Sequence, residues 1–191
     1  MKTYAEYLDP FIFDAQKRPC VPQVTISRSK RGKVADFIQR LIEEKQREEV
    51  HQTDAKQRAK RFETGFLGEA ALEQFLEVEF MDTSVGQSNS YAVSDLRSLG
   101  INAGVKTGVY EHNKFLAINR GIRAPQVIVF LSPDRSRALI AGLATVEVLN
   151  KYVDDGLIMN REMSGRKTGF YGFHKLIQFK DLAELRQLAP L

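Results

Sequence analysis

The chain has 191 residues, 43% hydrophobic and 27% charged, with a net charge of +4. That is enough for one domain with a sizeable core and appendages, and no apolar run approaches a membrane span. The lone Cys20 excludes an internal disulfide, the scattered His51, His112 and His174 suggest no zinc site, and the first residues lack a secretory pattern, so a reducing, cytoplasmic setting is expected.

Residues 1–30, with Pro10, Pro19 and Pro22, have no sustained period and read as an arm. From Lys33 the pattern turns helical, with Val34, Phe37, Ile38, Leu41 and Ile42 at three-four spacing. Residues 43–62 are almost wholly polar and fit either a solvated helix or a linker. A second amphipathic helix is predicted to open near Thr64, with Phe66, Leu67, Ala70, Ala71, Leu72, Phe75 and Leu76 on its apolar face and Gly65 and Gly68 permitting close packing.

After residue 80 the signal changes to strands. Val93 and Leu96 bracket Asp95 on one segment, and residues 101–110 form a second. The run Gln-Val-Ile-Val-Phe-Leu over 126–131 predicts a buried strand. A Ser-Pro-Asp-Arg turn then leads to a hairpin partner over 138–143. Residues 145–152 predict a helix, 169–179 a final strand, and Asp181 the cap of a last helix through Leu188. The expected organisation is an arm and charged helix over 1–60 and an α/β core over 61–191.

The positive charge is clustered: Arg28, Lys30, Arg31 and Lys33; Lys56, Arg58, Lys60 and Arg61; Arg120 and Arg123; Arg161, Arg166 and Lys167. Each cluster alone fits a solvated face. Taken together, they suit contact with a phosphate backbone, and Arg28, Lys30, Arg31, Lys33, Arg120, Arg123, Arg166 and Lys167 are the expected nucleic-acid-binding set.

The chemistry-bearing stretch is Gly-Phe-Leu-Gly68-Glu69-Ala-Ala-Leu-Glu73 on a helix, then Asp95, then Gly104-Val105-Lys106-Thr107 on a strand. Taken singly, Asp95 also suits a turn or cap, Lys106 a solvent-facing strand position, and Glu69 the acid-favouring start of a helix. Their order and spacing resemble the PD-(D/E)XK nuclease superfamily, which includes Holliday-junction resolvases and restriction-type and phage endonucleases. The resemblance covers about residues 61–145.

The resemblance implies a restriction-endonuclease-like fold: a mixed central sheet flanked by helices, here with an N-terminal helical extension. It implies a DNA endonuclease dependent on Mg²⁺ or Mn²⁺. Asp95 and Glu69 would hold the metal with the Val105 carbonyl, and Lys106 would be the catalytic lysine, alongside Asp95 and Glu69. It also implies DNA as partner, no membrane, and a homodimer with an interface on the helix at 34–50 or the arm. Gly104 departs from the pattern, because the family carries an acid there, on the face of the lysine. Either Glu69 or Glu73 supplies the missing oxygen, or metal binding is lost and the chain is an inactive module that binds nucleic acid or a protein. A third reading makes the charged helix itself an interaction surface.

Overall fold

The computed structural model describes residues 21–47, 55–83, 95–109, 115–158 and 165–191. Cys20, His51, Val93, His112 and Arg161 lie outside the described residues. In chain order the elements are β1 (Gln23–Thr25), α1 (Arg28–Arg47), α2 (Ala55–Leu76), β2 (Gly104–Val109), β3 (Leu116–Asn119), β4 (Gln126–Leu131), β5 (Arg137–Ala144), α3 (Val146–Lys151), β6 (Val153–Asp154), β7 (Lys167–Phe170) and α4 (Leu182–Leu188). The chain is thus mixed α/β. No helix among the described residues is long and apolar enough to cross a membrane.

The larger sheet runs β1-β5-β4-β2, with β2 parallel to β4 and the other pairs antiparallel. A smaller antiparallel sheet runs β3-β7-β6. Strand β4 shows why its sequence is a continuous apolar run. Alternate side chains point to opposite faces: Val127, Val129 and Leu131 enter one buried cluster with Leu67, Ala70, Ala71 and Leu72 of α2. Ile128 and Phe130 enter a second cluster with Leu116 and Ile118 of β3 and Phe170 of β7. Both faces of the large sheet are therefore covered, one by helices and the other chiefly by the small sheet, with Leu149 of α3 joining it.

Several expectations are corrected. Residues 21–30 are not an irregular arm: β1 pairs with β5, and α1 begins at Arg28. Val24, Ile26, Val34 and Ile38 share the cluster that holds Leu67, so this part of the chain belongs to the core. The expected boundary between residues 60 and 61 falls inside α2, which opens at Ala55 and not near Thr64. Its first turns carry few apolar residues, so periodicity detected only the packed half. The strand expected over 169–179 is β7, ending at Phe170, followed by a 3-10 turn at Phe173–Lys175. The predicted strand 126–131, the hairpin, the helix after Thr145 and the Asp181 cap are all present; Asp181 accepts from the Glu184 N–H at 2.9 Å.

Two polar side chains of α2 secure the N-terminal segment to the core. Gln74 accepts from the Ser27 N–H at 3.1 Å and donates to the Thr25 carbonyl at 2.6 Å. Glu73 accepts from the Lys30 ammonium at 2.5 Å and from the Phe80 and Met81 N–H groups at 2.8 and 2.7 Å. Burial would raise the Glu73 pKa, but these hydrogen bonds hold it below the usual range.

Candidate functional site

Strand β2 presents different chemistry on its two faces. Val105 and Val109 pack on the helix-side cluster, and Thr107 lies against Gly68 of α2. With a period of two, Lys106 faces the other way, into an open cleft of about 580 Å³. The cleft is walled by Asp95 and Arg97, by Gly104 and Lys106, by residues 118–124 and by Gln126.

Asp95 is not on a strand; it stands at a turn just before a 3-10 helix at Arg97–Leu99. The loop closes on itself. Gly100 takes the left-handed conformation (φ 75°), the Ile101 N–H donates to the Leu96 carbonyl at 3.3 Å, and the Leu96 N–H donates to the Ala103 carbonyl at 3.2 Å. This closure brings the Asp95 carboxylate onto β2, where its Oδ2 accepts from the Val105 N–H at 2.6 Å. Asp95 as a residue is exposed, yet partial desolvation raises its pKa, against the pull of the Val105 N–H and the Lys106 charge.

Lys106 has the complementary shift. Burial, helped by the neighbouring Lys167 ammonium, lowers its pKa to about 8, with Asp95 opposing. Lys167 donates to Asn119 Oδ1 at 2.5 Å; burial and the nearby Arg61 charge lower its pKa also. Glu69 projects from α2, deep within the helix rather than near its start. Burial raises its pKa to about 8, with further contributions from the Asp95 and Glu73 charges. Acids pushed up and a lysine pushed down at one place are the electrostatic pattern of a functional site.

Not every expected residue arrives there. Glu69 feels the charge of Asp95 but does not itself line the cleft. Glu73 is committed to Lys30 and to the chain after α2, so it does not replace the missing acid. Lys30 is correspondingly held in an ion pair. Arg28, Arg31 and Lys33 are exposed on α1 and do not line the cleft. Arg120 and Arg123 do. Arg120 is held there by Asp155 at 2.9 Å and by the Lys167 carbonyl at 3.4 Å. Arg166 is exposed beside this wall, its carbonyl accepting from the Arg120 N–H at 3.1 Å. Among the described residues no three His, Cys, Asp or Glu side chains gather into a metal cluster.

Arg97 and Gln126 are among the cleft residues that the sequence does not single out. Arg97 follows Asp95 by two positions and carried a weak signal as the basic neighbour of an acid. Gln126 looked like the first residue of a buried strand. The parallel pairing of β2 with β4 sets it opposite Gly104, with its carboxamide over the glycine. No local pattern announces a contact made across a strand register.

Glu69 gives a metal-free prediction. Its folded-state pKa lies above its ordinary 4.5, so between that value and about 8 the folded protein retains a proton that the unfolded chain has lost. Stability should therefore fall as pH rises through this window, by on the order of 2–4 kcal/mol. Lys106 works oppositely: between about 8 and its ordinary 10.5 the unfolded chain holds the extra proton, so stability should recover as pH rises. Denaturant titrations in EDTA should place a minimum near pH 8, and Glu69→Gln should remove the slope on the acid side. A slope unchanged by that substitution would mean that other groups produce it.

Comparison with protein-family models, with curated proteins and with solved structures found no match. The functional reading rests on the geometry of this cleft and on the motif that runs through it.

Proposed function

We propose that this chain is a metal-dependent DNA endonuclease of the restriction-endonuclease-like kind. One observation carries the reading: the Asp95 carboxylate and Lys106 ammonium interact at the wall of one cleft, with the Glu69 carboxyl close enough to Asp95 to be pushed up. The donor set suits a divalent cation. Asp95 has one oxygen on the Val105 N–H and lone pairs to spare, and the Asp95–Glu69 repulsion is what a cation would relieve. Magnesium accepts few protein ligands because it retains waters and uses phosphate oxygens.

Asp95 and the Val105 carbonyl are the groups that would hold such an ion, and Glu69, which does not line the cleft but feels the Asp95 charge, would have to turn toward it to join them. A Mg²⁺ or Mn²⁺ ion bound there supplies charge neutralisation at the scissile phosphate and acidifies the attacking water. The protein's own part is positioning. The Val105 N–H fixes the Asp95 carboxylate. Lys106, on the cleft face of β2, meets a phosphate oxygen or the attacking water as the new P–O bond forms and the bridging P–O bond breaks. Arg97, Arg120 and Arg123 line the path of the flanking phosphates, so binding should weaken steeply with salt. In a homodimer two such clefts would cut both strands.

A second reading has its own support. Gly104 offers no carboxylate, and a neutral amide occupies its surroundings. This favours a module that grips nucleic acid without cutting it. The deciding experiment is incubation of plasmid, linear and branched DNA with Mg²⁺ or Mn²⁺, alongside Asp95→Asn. Metal-dependent cutting absent from the variant is the expected result. A folded wild-type protein that binds DNA and cuts none of the three would establish the binding module instead.

A further inference from the structure

Gly104 is where the sequence departs from the motif it resembles, and the space beside it is already filled. A Cβ built on Gly104 would lie 2.8 Å from Gln126 Oε1, 2.9 Å from its Nε2 and 3.2 Å from Asp95 Oδ2. A side chain at 104 and the Gln126 carboxamide could not both hold these positions; the end of the flexible glutamine would have to swing aside. The glycine leaves room for a long side chain from the next strand to lie in the space beside the carboxylate of Asp95.

The amide is also oriented. Gln126 Nε2 donates to the Ala124 carbonyl at 3.3 Å, which leaves Oε1 as the free end. Oε1 accepts no hydrogen bond among the described residues and borders the open cleft with Asp95. The Gln126 Oε1 and the Asp95 carboxylate are thus oxygen acceptors on one cleft, a setting for a cation.

We infer that Gln126, through Oε1, provides the oxygen ligand that Gly104 cannot, completing a divalent-cation site beside Asp95; the inference rests on the nuclease reading above. The acid of the motif has in effect moved to the neighbouring strand and become neutral. A carboxamide oxygen is an accepted ligand for hard cations but contributes no charge, so the site should bind more weakly than one with a further carboxylate. It also spares the site a third carboxylate beside Asp95 and Glu69, whose ionised forms already repel each other.

The test is direct Mn²⁺ binding, read by calorimetry and by the loss of the free-ion EPR signal, on the whole chain without DNA. Gln126→Leu keeps the bulk and removes the oxygen, and should raise the Mn²⁺ dissociation constant by about tenfold or more. Gln126→Glu should bind at least as tightly as the parent. Gly104→Asp with Gln126→Ala returns an oxygen to position 104 and should restore the binding that Gln126→Leu loses. Parent-like binding by Gln126→Leu, with binding lost in Asp95→Asn, would remove Gln126 from the site and leave the nuclease reading intact. A parent protein that takes up no Mn²⁺ would overturn both. Should Gln126→Leu not fold, Gln126→Glu decides alone: weaker binding means that the amide is a structural donor to its neighbours and not a ligand.

Discussion

If the cleft cuts DNA as proposed, Lys106→Met should reduce cleavage by roughly 10²–10³-fold at saturating substrate, the scale of losing one preorganised charge partner of a transition state. Its melting temperature should be unchanged or higher. The two effects have one cause. The ammonium sits where burial and Lys167 both disfavour its charge, and its pKa is lowered to about 8. A folded state that holds a charge at such a cost is destabilised by it, so the uncharged isostere relieves the fold while removing the chemistry. Lys106→Arg should not rescue activity, because a planar guanidinium is larger and keeps its proton at every accessible pH. Single-turnover cleavage beside thermal melts separates the outcomes. Full activity in Lys106→Met would reduce the lysine to a strand residue that happens to be buried.

The second large effect is structural. Gly68→Ala should destabilise the fold by about 1–3 kcal/mol, the usual cost of overpacking. Its added methyl would lie 1.9 Å from Thr107 Oγ1, 2.7 Å from Cγ2 and 2.8 Å from Cβ. Only movement of Thr107 or of the helix itself can relieve that contact, and helix movement would carry Glu69 away from Asp95. Alanine's better helix propensity returns about 1 kcal/mol, less than the collision removes. Gly65→Ala is the matched control, since nothing lies within 4 Å of its added carbon and only the propensity gain should appear. Adding Thr107→Ala to Gly68→Ala should recover part of the loss by removing Oγ1 and Cγ2 but leaving Cβ. At this chain length each kcal/mol corresponds to roughly 2–4 °C in melting temperature, so calorimetry resolves all three variants. Equal stability of Gly68→Ala and Gly65→Ala would show that the helix can slide at no cost.

Much of the fold could be read locally. Strand β4 is recognisable because both its faces are buried, which demands an unbroken apolar run. The turn after it and the N-caps at Thr145 and Asp181 are short-range hydrogen-bond chemistry, complete within a few residues. The beginning of α2 was missed because its first turns have little apolar periodicity. Asp95 stands on a turn and not a strand: the apolar Leu96 beside it enters the helix-side core from a loop that closes through Ile101 and Ala103.

The sequence by itself determined the mixed α/β class, the main hairpin, the terminal helix and the candidate chemistry of Asp95 and Lys106. Each depends on residue type and short-range order. Only the tertiary structure decided which charges share a cleft: Glu73 went to Lys30, Arg28, Arg31 and Lys33 stayed on α1, and Arg97, Arg120 and Arg123 lined the cleft walls. It also decided that Gln126 lies over Gly104. That contact is set by the parallel register between β2 and β4, strands joined through an excursion into the small sheet. A one-residue slip would reverse the face of every side chain, so register is fixed by burial of both strands against the whole core, and no neighbouring residue encodes it.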